Sequence, residues 1–190
     1  MSYDLYCYRS ASDSPDAAEA RSIIESLNAD EEAGRTKSQS SGVKERVAAA
    51  LIQHNPSLQR FEVDYPKTAE SQKLSENEAR ARSQHIGLNP PSGDLAIQLT
   101  VYDDHVFMTA PYWYQSGDAD RLFRSFLDYA RIIHKTAGYL VYDPQTDKAF
   151  DPQKTESLDH PQYSHVVARM PEMIASAKNR SRKKPWWKIW

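Results

Sequence analysis

The sequence predicts an α+β fold, in which a mainly antiparallel sheet of four to six strands is covered by helices in a single-domain sandwich. Two observations predict it: short alternating segments joined by tight turns, which are typical of hairpins, and longer segments with apolar residues at helical spacing. A chain of 190 residues is long enough for one domain with its own core. We therefore assign residues 1–177 to one domain and residues 178–190 to a separate tail.

The first 55 residues predict one strand and two helices. Residues 3–8 carry aromatic and apolar side chains on both parities, as expected of a strand buried on both faces in the middle of a sheet. A helix is predicted to begin with Ser14 as its N-cap and Pro15 in its first turn. A second helix follows from Val43 and is stopped at Asn55, because the next residue is a proline.

The middle of the chain predicts one strand and then a long loop. Residues 58–65 alternate apolar and polar side chains, which indicates a half-buried strand with Phe61, Val63 and Tyr65 on its buried face. Residues 67–93 contain few apolar side chains, so they predict a polar surface excursion with a short helix over 76–82.

The second half predicts two hairpins and two helices. Strands are expected at 95–102 and 105–110, with a tight acidic turn between them. The strongest helical pattern follows it and ends at Gly138, a typical C-terminal stop. A second hairpin with Asp-Pro turns is expected over 139–150, and a last helix over 161–178.

Composition excludes several classes of protein. No segment approaches the roughly 20 apolar residues that span a bilayer, and the first residues do not resemble a signal peptide, so a cytoplasmic protein is expected. The single cysteine, Cys7, excludes an internal disulfide and a cysteine-based zinc cluster, and in a central strand it is expected to be buried and inert. The six glycines form no phosphate-binding spacing, and we predict no cofactor and no metal.

Charge is unevenly distributed along the chain. Residues 178–190 hold six basic side chains and no acid, whereas residues 1–177 hold 18 basic and 26 acidic ones, a net charge of −8. An acidic body repels nucleic acid and attracts a basic protein. Solubility is the other explanation of such a charge, and the sequence leaves both open.

One group of side chains around the first hairpin is a candidate partner-binding surface. Tyrosine and tryptophan are common interface anchors, although the same residues also fill cores, and acids are routine at hairpin tips. The candidates are Tyr102, Asp103, Asp104, Tyr112, Trp113 and Tyr114.

The basic tail is a second candidate. Cations beside tryptophans suit a membrane interface, a single-stranded nucleic acid or an acidic protein face, including the face of this same chain. The tail residues that we expect to bind are Lys183, Lys184, Trp186, Trp187 and Trp190.

Two segments carry a family resemblance. Residues 1–6 and 136–146, the latter reading TAGYLVYDPQT, resemble the first strand and the "GxxxYDPQTG" hairpin of small cytoplasmic bacterial proteins, which include immunity proteins of polymorphic toxin systems and related uncharacterised families. Asp147 stands where that turn often has glycine. The resemblance implies an α+β fold and a non-enzymatic function, namely binding a cognate toxin and blocking its active site.

We therefore expect a non-catalytic protein-binding protein, an immunity protein against a toxin. Two alternatives stay open. One is a membrane-peripheral adaptor that makes a weak membrane contact through residues 178–190. The other is a small enzyme, whose pocket would lie near Tyr102, Asp104, His105 and Trp113.

Overall fold

The computed structural model describes residues 2–32, 42–61, 63–91, 93–158, 161 and 163–170. The strands are β1 (Ser2–Tyr8), β2 (Gln59–Phe61), β3 (Ile86–Asn89), β4 (Gln98–Val101), β5 (His105–Pro111), β6 (Leu140–Asp143) and β7 (Lys148–Phe150). The helices are α1 (Ala17–Glu32), α2 (Val43–His54), α3 (Tyr65–Gln72), α4 (Glu76–Arg82), α5 (Ser116–Ala137) and α6 (163–170).

The strands form one antiparallel sheet in the order β2-β3-β4-β5-β1-β6-β7. The α+β class is therefore confirmed, and the sheet has seven strands instead of the expected four to six. The first strand of the chain lies between β5 and β6, which confirms its central position. It is not buried on both faces along its length, because Asp4 and Tyr6 are only half-buried.

The first face of the sheet carries the larger core. Alternate residues of β5, namely Val106, Met108 and Ala110, point into it and are fully or almost fully buried. Helices α2, α5 and α6 cover this face, and the apolar stripe predicted for α5 supplies much of the packing. Tyr163 of α6 is fully buried there.

The second face is covered in part. Helix α1 packs on β1, β6 and β7 through a smaller cluster that includes Ile24 and Tyr8. Its first turn is capped by Asp16, whose Oδ1 accepts hydrogen bonds from the Ala18 and Glu19 amides at 2.7 and 3.0 Å. The cap is therefore Asp16 and not the expected Ser14.

The region after β2 differs most from expectation. The strand predicted over 58–65 ends at Phe61, whose side chain is exposed, and Tyr65 begins helix α3. The Asp64 side chain accepts from the Lys67 amide, and Pro66 lies in the first turn of that helix. The 67–93 excursion also contains α4, at the expected residues, and the unforeseen strand β3.

Candidate functional site

The candidate site is a part of the sheet that none of the described helices covers. On the second face, the side chains of β2 to β5 lie beyond α1 and are half-buried or exposed. We name this surface the open face, and it is formed by Gln59, Phe61, Gly87, Asn89, Gln98, Thr100, Phe107 and Thr109.

One row of side chains crosses the open face from the sheet edge to α1. Phe61 pairs with Gly87, which has no side chain. A Cβ atom at Gly87 would lie 3.4 Å from the Cβ of Phe61, so the Phe61 side chain lies close to the glycine backbone. Thr100 and Phe107 continue the row. Phe107 then meets Tyr6, with ring centroids 4.9 Å apart. The row thus holds three aromatic rings, and aromatic residues are enriched at protein interfaces.

Phe61 is the most exposed residue of this row. Its side chain keeps 59% of its surface accessible on edge strand β2. Sequence reasoning missed it, because the alternation at 58–65 was read as a strand with Phe61 on the buried face. The signal that was available is the proline at position 66, which together with Asp64 starts a helix and shortens the strand.

A groove lies where the open face meets the turn after β5. It has a volume of about 450 Å³, and its walls include Pro90, Pro91, Asp94, Gln98, Trp113 and Tyr114. We name it the Trp113 groove. The Trp113 side chain is 65% exposed, which makes it the most exposed of the large apolar residues in the described ranges.

Hydrogen bonds hold the turn that carries Trp113. The Tyr163 hydroxyl donates to the Pro111 carbonyl at 2.8 Å and accepts from the Tyr114 amide at 3.1 Å. The Tyr114 hydroxyl accepts from the Ala96 amide at 2.6 Å. The backbone that carries the exposed indole is thus held by hydrogen bonds. Less backbone conformational entropy is therefore lost when a partner binds the indole.

The opposite end of β5 carries the turn predicted between the first pair of strands. Tyr102 and His105 stack with centroids 4.1 Å apart, and His105 Nδ1 lies 2.7 Å from Asp104 Oδ1. Asp103 has a different role, because its Oδ1 accepts from the Val43 and Lys44 amides at 3.0 and 3.3 Å. It therefore caps helix α2 from another part of the chain.

The six predicted partner-binding residues thus separate into two groups. Tyr102, Asp103 and Asp104 lie at one end of β5, and residues 112–114 lie at the other, about 20 Å away for a seven-residue strand. Tyr112 is only 7% exposed and stacks on Tyr163 in the core, which removes it from the candidate surface.

The pocket expected near Tyr102, Asp104, His105 and Trp113 is not formed, for the same reason. Three of these residues are at the turn before β5 and Trp113 follows its far end, so the four side chains do not line one cleft. Cys7 is fully buried, and burial raises the pKa of its thiol well above the ordinary range. This agrees with the expected inert thiol.

A second groove, of about 570 Å³, lies beside β6 and β7. Asp143 faces it but is buried, and its carboxylate accepts from the Tyr3 hydroxyl at 2.5 Å and from the Thr146 hydroxyl at 2.9 Å. Asp147 is bound by Arg21 and by the Tyr142 hydroxyl. The hydrogen bonds of these two carboxylates therefore stabilise the β6–β7 hairpin. Burial, and then the hydrogen bond to Asp143, raise the pKa of Tyr3.

Neither a metal-binding cluster nor a membrane-spanning helix is present in the described ranges. They contain no group of three or more histidine, cysteine or acidic residues placed to hold a metal ion. No helix of the same ranges is both long enough and apolar enough to cross a bilayer.

The tail candidates Lys183, Lys184, Trp186, Trp187 and Trp190 lie outside the described residues, as does most of the helix expected over 161–178.

No family model, no curated protein and no solved structure matches this chain.

Proposed function

We propose that this protein acts by binding another protein through the open face, and that it catalyses no reaction. The observation that carries the proposal is a row of aromatic and hydroxyl side chains on a sheet face that α1 leaves uncovered. A hydrogen-bonded sheet surface of this kind suits a protein partner, because its aromatic side chains can bury a large area while the paired backbone loses little freedom.

The charge of the chain supports a basic partner. The net charge of −8 over residues 1–177 attracts cations over the Debye length, and such steering accelerates association. Aromatic side chains such as Phe61 and Trp113 then slow dissociation, because their burial must be reversed before the partner leaves.

The family resemblance suggests the kind of partner. Under this proposal the chain is an immunity protein that works in the cytoplasm, where it neutralises a cognate toxin. In the hairpin that carries the resemblance, Asp147 has a positive φ of 53°. Glycine is favoured in that conformation and aspartate is tolerated, so the departure from the family's turn leaves its geometry intact.

The first test uses the toxin gene expected next to the gene for this chain. Co-expression should rescue growth, and the purified proteins should form a complex that weakens as salt is raised. Absence of rescue together with absence of binding contradicts the immunity function.

The second test asks whether the open face is the surface used. Thr100→Lys introduces a cation in the middle of the row against a basic partner, and we expect the Kd to rise about tenfold or more. Gln53→Lys is the matched control, because it adds the same charge to an exposed position on α2 in the layer that covers the other face. Equal effects of the two variants contradict the assignment of the surface.

A further inference from the structure

The Trp113 groove is an open surface groove with aromatic and proline walls, and none of the described residues occupies it. Its indole is 65% exposed, although the turn below it is fixed by Tyr163 and Tyr114. Pro90 and Pro91 provide apolar walls. Aromatic and proline surfaces that are exposed to water have an unfavourable hydration free energy. Covering them with an apolar group is therefore favourable.

The groove also has an acidic side. Asp94 lines it and is exposed, with its Oδ1 accepting from the adjacent Leu95 amide at 2.7 Å. A ligand that carries both a cation and a flat apolar group would therefore match the groove. The cation would pair with the carboxylate or lie over the indole, and the flat group would pack on the prolines.

The chain itself contains a segment of that chemistry. Residues 178–190, with the sequence KNRSRKKPWWKIW, carry six cations, three tryptophans and no acid. Their charge of +6 is opposite to the −8 of residues 1–177. Charge and apolar character thus both complement the groove.

The segment starts within reach of the groove. Tyr163 lies in the described part of helix α6, and its hydroxyl is hydrogen-bonded to the turn that carries Trp113. Residue 170 lies about 10 Å farther along the helix axis. The eight residues from 170 to 178 span at most about 28 Å, which exceeds the roughly 10 Å by which α6 leads away from Tyr163. A tether of this length gives a high effective concentration.

We propose that the Trp113 groove binds this chain's own C-terminal segment, residues 178–190. The contact stands without the proposed function.

The experiment uses the full chain labelled with 5-fluorotryptophan. The chain has four tryptophans, Trp113 and the three of the segment, so the ¹⁹F spectrum is simple, and Trp113→Phe assigns one resonance. A variant with Arg180, Arg182, Lys183 and Lys184 all changed to Glu reverses the charge of the segment. Its matched control reverses four exposed cations of the described residues, Lys67, Lys73, Arg124 and Lys135.

The expected result is a Trp113 resonance that moves to a solvent-exposed shift in the charge-reversed variant and stays in place in the control. Raising NaCl from about 20 to about 500 mM should move the unmodified chain in the same direction, since screening weakens the pairing. Circular dichroism checks that all variants fold.

Three outcomes overturn the proposal. One is an identical Trp113 resonance in the unmodified and charge-reversed chains. Another is a shift that grows with protein concentration, which would mean that the groove binds the segment of a second copy. The third is binding of the full chain to anionic vesicles at low salt with no response of Trp113 to charge reversal, which would assign the segment to a membrane. No partner protein is present, so failure here is distinct from failure of the proposed function.

Discussion

Asp143 is a buried carboxylate that joins strand β1 to the β6–β7 hairpin. Its Oδ2 accepts from the Tyr3 hydroxyl of β1, and its Oδ1 accepts from the Gln145 and Thr146 amides of the following turn. It is only 6% exposed. Four donors, counting the Thr146 hydroxyl, compensate the loss of hydration, so one residue ties the first strand to the β6–β7 hairpin.

Asp143→Ala should destabilise the protein by about 2–4 kcal/mol, because it leaves the Tyr3 hydroxyl and the turn amides without their acceptor in a buried place. Urea denaturation measures the change. Asp64→Ala is the control: it removes an exposed carboxylate that caps α3 and should remove only about 1 kcal/mol. A loss below about 0.5 kcal/mol for Asp143→Ala would contradict the role assigned to it.

Arg21→Met should raise the pKa of Asp147. The Arg21 guanidinium and then the Tyr142 hydroxyl hold that pKa below its ordinary value. Since the folded-state pKa is the lower one, this pair stabilises the fold above the ordinary pKa, and the contribution disappears as pH falls through the folded-state value. Carboxyl ¹³C NMR titration measures the pKa, with Arg124→Met, on exposed α5 surface, as the control. An unchanged pKa would refute the pairing in solution.

At the scale of elements, local signals predicted α5 and both hairpins correctly. Helix α5 runs from Ser116 to Ala137 and ends at Gly138, which has a φ of 74°. The two hairpins form at the predicted turns. Residues within a few positions of one another determine these features. Strand β2 is shorter than predicted for a reason that is also local. Asp64 caps a helix that begins at Tyr65, so the alternating pattern over 58–65 does not form a strand along its full length.

Gly138→Ala should destabilise the protein by about 1 kcal/mol, because alanine pays a steric penalty at a positive φ. No heavy atom lies within 4 Å of the added Cβ, so the effect comes from the backbone alone. Gly117→Ala is the control within the same helix: it also meets open space, but its φ is ordinary, and it should stabilise by about 0.5 kcal/mol. Thermal unfolding measures both. Equal signs for the two substitutions would be inconsistent with this account.

At the scale of the whole molecule, the described residues form two apolar cores and, apart from them, the helix pair α3–α4. The larger core lies under α2 and α5, and the smaller one under α1. Helices α3 and α4 belong to neither cluster, and among their described side chains, which exclude those of residues 81 and 82, only Ala69 and Ala79 are buried. They pack mainly on each other, so little buried apolar surface becomes exposed to water when the two helices open.

Amides of α3 and α4 should therefore exchange with deuterium long before those of α5 and β5. Local opening of the helix pair requires much less free energy than global unfolding. Hydrogen–deuterium exchange followed by mass spectrometry measures the difference, with the α5 amides as the internal reference. Equal protection of 65–82 and of α5 would show that the excursion is part of the main core.

The sequence by itself determined the α+β class, the turns and the strongest helix, because hydrogen bonding and side-chain periodicity over short distances specify them. Only the tertiary structure decided which face of the strands stays open, since alternation distinguishes two faces and does not say which helix covers each. It also decided that Asp103 caps α2 and that Tyr3 meets Asp143, contacts across 60 and 140 residues of chain. Such pairs form when separate elements pack together, and no local pattern contains them.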